Sequence, residues 1–341
     1  MNRTTKVILK RFVYLLIVLL GLSMLIFTLA RIMPGDPVRM SLGARAPEWV
    51  VQRAIEENHL DKPIYVQYYY WFKGILKGDL GFSWVTRRPV MEDIKIFFPA
   101  TLELVLYTDI LILFFGLSFG AIAGFYSNTW KDTLLRMLAY LGISAPPFIF
   151  AIVLMVVFSG FFKILPTMGR VSEGFVSPPI ITHFVTIDSL IAGDFSAFFD
   201  AIKHFIIPVV SLSLKPIAEM ARITRAGIIE NLEKDYITAA KSYGISQKVI
   251  MSKYLLKPSI IPAISLFGLV SVQLFPHAFI IEGLLNWPGL SRYGMEALLN
   301  KDLNSIIAVV LVVGLLFIIS SIVVDLITSW LDPRINIREG V

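Results

Sequence analysis

The chain has 341 residues, of which 56% are hydrophobic and only 16% are charged, and its mean hydropathy is +0.73. A soluble domain has roughly 45–50% apolar and about 25% charged residues, so this composition excludes an ordinary soluble protein and indicates a membrane protein. The chain has no cysteine, which excludes disulfides and thiolate metal sites. Its net charge is +6, but the basic residues lie next to the ends of apolar blocks, which argues against a nucleic-acid partner.

Long apolar segments recur along the chain. A transmembrane helix needs about 20 mostly apolar residues to cross a hydrocarbon core about 30 Å thick. The candidate spans are 12–30, 100–124, 137–161, 205–226, 260–281 and 305–330. We therefore predict an all-α membrane protein with about six transmembrane helices, forming a single membrane domain over 1–341.

The first span has a second interpretation, because Arg3, Lys6, Lys10 and Arg11 precede it as in a cleaved signal peptide. Its apolar run is longer than the usual signal-peptide core of about 7–15 residues. The Thr28-Leu29-Ala30 sequence is also a poor cleavage site. We interpret the segment as a retained membrane helix.

Residues 31–99, between the first two spans, are rich in aromatic side chains and do not resemble a linker. Helix-like stretches at 47–58 and 63–77 and Gly-Asp turns at 35–36 and 78–79 predict a small folded unit. The aromatic residues are Trp49, Tyr65, Tyr68, Tyr69, Tyr70, Trp71 and Trp84.

The distribution of Lys and Arg predicts the orientation. Segment 222–257 carries seven basic residues against three acidic ones, and the first eleven residues carry four. Since short basic loops stay in the cytoplasm, both termini and this segment are predicted to lie inside. The 31–99 loop then lies outside, because long loops cross the membrane largely regardless of charge.

Segment 230–258, between the fourth and fifth spans, is patterned as two short helices joined at Gly244. The first is predicted near 231–242, and Gly244 is a plausible residue to end it in a left-handed conformation. Ser246 then caps a second helix near 247–257, which Pro258 and Pro262 end before the next span begins. An ordinary basic juxtamembrane loop would explain the charge of this segment. A rigid docking site for another protein would also explain the small side chains of Ala239 and Ala240.

This segment resembles the "EAA" signature, EAA-x3-G-x9-I-x-L-P, of permease subunits in binding-protein-dependent ATP-binding-cassette importers. Ala239, Ala240, Gly244 and Leu256 match in position. Thr238, Tyr254 and Lys257 replace the Glu, Ile and Pro of the signature, and Pro258 follows one residue later. The Asp235-Tyr236 pair is similar to the variant in the dipeptide/oligopeptide permeases, and the whole segment 230–258 is then a coupling loop.

Other segments carry the same resemblance in the same order, which makes it specific to the first permease subunit of such systems. They are RIMPGDPV (31–38), LDKPIYVQYYYWF (60–72), GDLGFS (78–83), FPATLEL (98–104), ARITRAG (221–227), EGLLNWPGL (282–290) and LDPRI (331–335).

The resemblance implies a multi-pass inner-membrane subunit that pairs with a second, related permease subunit as a heterodimer. In such an assembly, two ATPase subunits would bind ATP and Mg and would contact the coupling loops. An external solute-binding protein would deliver the solute. The docking residues would be Asp235, Ala239, Ala240, Gly244 and Leu256. This chain has no G-x4-GK[ST] phosphate loop, so we expect it to bind no cofactor and to have no catalytic residues.

A few polar residues fall inside predicted spans, where charge is costly. Lys215 and Glu219, four residues apart, either line the solute pathway or form a structural pair. Asp109 is expected to face the bundle, and Gln273 and His277 to form a hydrogen bond or to contact substrate.

An ion-coupled secondary transporter or channel that uses Lys215, Glu219 and Asp109 is the alternative function. A membrane enzyme has no support, because no nucleophile–base or metal constellation occurs. The sequence leaves the solute open among dipeptides, longer peptides, nickel complexes, glutathione and oligosaccharides.

Overall fold

The computed structural model describes residues 3–32, 47–57, 59–83, 85–172, 174 and 178–331. The predicted residues 33–38, the turn at 35–36, Trp84 and segment 332–335 lie outside this set. Within it the secondary structure is helical apart from one short hairpin, β1 (Phe82–Ser83) paired antiparallel with β2 (Arg88–Pro89). The helices are α1 (Arg3–Ile32), α2 (Glu48–Glu57), α3 (Ile64–Ile75), α4 (Val90–Phe125), α5 (Trp130–Ile143), α6 (Pro147–Phe161), α7 (Val185–Ile191), α8 (Phe195–Leu232), α9 (Asp235–Ser242), α10 (Gln247–Leu284), α11 (Leu290–Leu299) and α12 (Leu303–Leu331).

Four of these helices are long and apolar enough to cross a membrane, as judged on the described residues: α4, α8, α10 and α12. The pair α5–α6 meets the same criterion as one span bent by 102°. Helix α1 covers the first predicted span, and its described apolar part is Ile17–Leu29. The predicted helical membrane class is confirmed, whereas the count of six spans stays a prediction.

The third predicted span, 137–161, is not one straight helix. Helix α5 ends at Ile143 and α6 begins at Pro147. Pro146 has an extended backbone (φ −62°, ψ 152°) because the residue before a proline is disfavoured in the helical region. The two consecutive prolines therefore break the span, which the apolar pattern alone did not reveal.

The prediction that Pro258 ends the helix after Ser246 is wrong. Helix α10 continues through Pro258 and Pro262, and its section Ile250–Leu256 is π-helical. A proline ring clashes with the carbonyl four residues earlier, and here that residue, Tyr254, lies in the π-helical section. The wider turn accommodates the proline, so the helix continues.

The chain divides into two compact units. The first unit comprises Met1–Thr101 and Pro288–Ile318, and the second comprises Leu102–Trp287 and Ile319–Val341. The single-domain interpretation remains a prediction. In the first unit, α2 and α3 confirm the helices predicted at 47–58 and 63–77, and Gly78 (φ +81°) forms the predicted turn.

Aromatic residues of the first unit pack α3 against α1. The Phe27 ring lies 5.4 Å from the Tyr68 ring and 5.1 Å from the Trp71 ring. The Tyr68 hydroxyl lies 2.8 Å from the Ser23 hydroxyl. The segment between the first two spans is thus held against the first helix, which fits the prediction of a folded loop.

In the second unit α8 lies at the centre and contacts α5, α6, α7 and α10. Helix α4 approaches α8 through a glycine row, G-x3-G-x3-G, at 116–124. A Cβ atom on Gly120 would lie 2.5 Å from the Thr224 Cβ and 2.6 Å from the Ala221 carbonyl oxygen. Small residues let membrane helices pack this closely, so the row fixes the α4–α8 contact.

Candidate functional site

The turn at Gly244 fixes the angle between α9 and α10. Gly244 has φ +71°, the left-handed conformation predicted for it. Its N–H donates to the Lys241 carbonyl (3.0 Å) and the Ile245 N–H donates to the Ala240 carbonyl (3.2 Å). These two hydrogen bonds form a Schellman motif, which ends α9 with its carbonyls satisfied. Ser246 occupies the N-cap position of α10 as predicted, but its side chain makes no cap hydrogen bond.

The inner face of α9 is part of the core. Ile237 and Ala240 are buried in a cluster with Ile228 of α8 and with Ile250 and Leu255 of α10. The partly buried Leu256 packs against the same cluster. These contacts attach the short helix to the ends of two long helices, so α9 cannot move independently of them.

This packing corrects the predicted Ala239–Ala240 surface. Ala240 is only 5% exposed, whereas Ala239 is exposed. Successive residues of a helix are separated by about 100° around its axis, so the two alanines face different ways. Ala240 and Leu256 hold the coupling loop in place, and Ala239 with Asp235 lies on its outer face.

The outer face also includes a residue that the sequence analysis missed. Tyr243, next to the turn, is 86% exposed. Asp235 begins α9 and complements the positive end of the helix dipole. A tyrosine beside the predicted left-handed glycine was visible in the sequence, but only the fold shows that it is exposed.

Tyr236 ties the start of α9 to the long helices. Its hydroxyl donates to the Asn231 Oδ1 (2.8 Å), and the Asn231 amide donates to the Gly227 carbonyl (2.8 Å) and the Ser259 hydroxyl (3.2 Å). Desolvation raises the pKa of Tyr236, whose hydroxyl is protonated at neutral pH even at its ordinary pKa and therefore donates. Gly227 permits this junction, because a Cβ there would lie 2.6 Å from the Ser259 carbonyl oxygen.

Lys215 and Glu219 are neighbours on α8, with Lys215 Nζ 3.9 Å from Glu219 Oε1. Their side chains are 43% and 28% exposed, so the pair is not buried within this chain. Lys215 and His277 line one cleft of about 420 Å³ beside the bend at 144–148. The structure therefore brings Lys215, Glu219 and His277 to one region.

Gln273 and Asp109, the other two polar candidates, do not line the cleft beside Lys215. The His277 ring Nδ1 lies 2.6 Å from the Gln273 backbone carbonyl, so the predicted contact is not with the Gln273 side chain, which is exposed. Asp109 accepts a hydrogen bond from Ser271 (2.7 Å) and lines a separate cavity of about 240 Å³. Asp109 therefore does not join the Lys215 cleft.

Two ion pairs in the second unit were not predicted. Glu103, 2% exposed, pairs with Arg170 and accepts from Thr186, which agrees with a structural role for this glutamate. Asp132 pairs with Arg225. The partners are 67 and 93 residues apart, and no local pattern in the sequence connects them. No cluster of three or more potential metal ligands occurs in the part of the chain that the structure describes.

Residues 116–337 match the family described as binding-protein-dependent transport system inner membrane component, and residues 4–105 match the N-terminal region of such membrane components. The chain belongs to this family. It is a multi-pass membrane permease subunit of a binding-protein-dependent importer.

Relatives of known name align along nearly the whole chain. A probable D,D-dipeptide transport system permease protein of Escherichia coli K12 is 34% identical over 96% of both chains. A dipeptide transport system permease protein of Alkalihalophilus pseudofirmus is 33% identical over 96% of this chain and 98% of its own. A glutathione transport system permease protein of Salmonella typhimurium is 31% identical over 97% of this chain and 99% of its own.

Proposed function

We propose that this chain is the permease subunit of an ATP-driven importer for dipeptides or similarly sized peptides. Its relatives are named for D,D-dipeptides, dipeptides and glutathione, which are all short peptides. The family match also favours an importer over the ion-coupled carrier that the polar residues in the spans had left open. A second permease subunit, two ATPase subunits carrying ATP and Mg, and an external solute-binding protein complete the assembly.

The coupling loop 230–258 is the proposed ATPase contact, with both termini on the same, cytoplasmic side. The observation that carries this proposal is the division of α9 into two faces. Its inner face is buried against α8 and α10, and its outer face exposes Asp235, Ala239 and Tyr243. A partner that pushes on the outer face moves both long helices, because the helix cannot slide on its buried contacts.

Lys215, Glu219 and His277 are the proposed pathway residues. The cleft that Lys215 and His277 line adjoins the break between α5 and α6, and Glu219 lies beside Lys215. A peptide carries an ammonium and a carboxylate, and this region offers one charged group of each sign. Asp109 and Gln273 remain candidates with no shared cleft to support them.

The test of the proposed function is an Ala239→Asp variant, assayed by co-purification of the ATPase subunits and by uptake of a radiolabelled dipeptide. A charge on the docking face should remove most ATPase binding and uptake, because an unpaired charge is costly in a packed interface. Normal abundance is expected, since Ala239 is exposed in this chain.

The matched control is Ala192→Asp, the same change at another exposed alanine, in the turn after α7. It should leave ATPase binding and uptake unchanged. Ala240→Asp is unsuitable as a docking probe, because it would bury a charge in the cluster beneath α9 and reduce abundance. Full ATPase binding by Ala239→Asp would show that the outer face of α9 is not the contact.

A further inference from the structure

A third cavity in the second unit, of about 180 Å³, has no part in the proposed transport mechanism. It lies among α4, α5 and α8, and three of its lining residues are arginines: Arg136, Arg222 and Arg225. The other lining residues are Phe119, Ala123, Leu135, Ala139, Tyr140, Ile143 and Ala221. The cavity therefore combines a basic rim with an apolar wall.

The positive charge at this rim is only partly neutralised. Arg225 donates to both carboxylate oxygens of the fully buried Asp132, at 2.7 and 2.8 Å. The Arg136 Nε lies 3.4 Å from one of the same oxygens. Among the described residues, Arg222 has no carboxylate within 4.0 Å. Three arginines and one aspartate leave a net charge of +2 (3 − 1).

Exposed aromatic residues lie at the end of α4 and along α5, near the cavity. Tyr126 and Trp130, at the turn between α4 and α5, are 47% and 71% exposed, and Tyr140, near the other end of α5, is 68% exposed. Tyrosine and tryptophan are enriched where their rings can reach both lipid and headgroups. The same helix, α5, also exposes apolar residues that acyl chains could cover: Leu134, Met137, Leu138 and Leu141.

We propose that this cavity binds an anionic phospholipid, whose phosphate contacts Arg222 and Arg136 and whose acyl chains lie on the apolar wall. Basic pockets between transmembrane helices suit such headgroups, because arginine donates in a fork that matches phosphate oxygens. Arg225 is the positioning residue, since its pair with Asp132 joins α8 to α5 and shapes the rim. A soluble anion would use the same arginines but would gain nothing from the apolar wall.

The experiment is native mass spectrometry of the full chain in detergent, titrated with phosphatidylglycerol, with phosphatidylcholine of identical acyl chains, and with glycerol phosphate. We expect phosphatidylglycerol to bind about tenfold more tightly than phosphatidylcholine, and glycerol phosphate to bind far more weakly than either. Arg222→Gln and Arg136→Gln should each reduce the preference for phosphatidylglycerol several-fold.

The matched control is Lys203→Gln, which removes one positive charge from the exposed surface of the same helix, α8, far along the sequence from the cavity. It should keep the lipid preference. Equal binding of the two lipids, or an unchanged preference in both arginine variants, would refute the site. Binding of glycerol phosphate as tight as that of phosphatidylglycerol would identify a soluble phosphate site instead.

Discussion

Lys215 and Glu219 show how exposure determines what one ion pair contributes. Their 3.9 Å separation and partial exposure show a pair that this chain by itself does not bury. In a water-filled pathway, as proposed above, such a pair contributes only about 0.2–1 kcal/mol to stability, so either side chain can be replaced without unfolding the chain. A loss of transport on substitution would therefore report a role in the pathway.

We predict that Lys215→Met and Glu219→Leu each reduce dipeptide uptake several-fold, while their abundance in the membrane stays within about a factor of two. The double variant should show no recovery, because the two groups act on the solute and not only on each other. The measurements are uptake of labelled dipeptide and immunodetection of the chain. Recovery of uptake in the double variant would instead indicate a structural pair.

Gly244 determines the angle between two helices, since its φ of +71° sets the direction in which α10 leaves α9. No atom lies within 4 Å of the Cβ that another residue would place there. A substitution at Gly244 is therefore opposed by backbone strain and not by a clash. The strain depends on the residue type, which makes a graded test possible.

We predict that Gly244→Val abolishes most ATPase co-purification, because a β-branched residue is a severe outlier in the left-handed region. Gly244→Asn is the matched comparison, since asparagine adopts this region several-fold more readily than most residues. It should retain most of the binding and uptake. Equal activity of the two variants would show that the turn geometry does not control docking.

Cysteine labelling can test the orientation of the chain in the membrane. We predict that a cysteine at Ser246 is labelled only by reagents that enter the cytoplasm, because the basic residues of 222–257 hold that loop inside. Lys77→Cys, in the predicted outer segment, should react with an impermeant maleimide applied to whole cells. Both positions are exposed, and the chain contains no other cysteine to interfere.

Ser83 is a poor outer probe although it lies in the same predicted loop. It is fully buried, and its hydroxyl donates to Asp302 at 2.5 Å, so a thiol there would react slowly from either side. Labelling of Ser246→Cys from outside, with Lys77→Cys protected, would reverse the predicted orientation. The outer face of α9 could then not meet an ATPase in the cytoplasm.

The membrane class and the geometry of the turn at Gly244 could both be predicted from the amino-acid sequence. Apolar runs identify long helices because lipid leaves backbone groups no other partners, and Gly244 could be assigned a left-handed turn because only its own backbone is involved. The motif segments likewise identified the family, since each is contiguous in the chain.

Which helix faces are buried, and which distant residues meet, could not be predicted and follow from the packing of the helices. Ala240 is buried, whereas the adjacent Ala239 is exposed. Asp132 forms an ion pair with Arg225, which lies 93 residues later in the chain. These outcomes depend on packing between elements, whose energy is non-local, and no pattern within one segment encodes it.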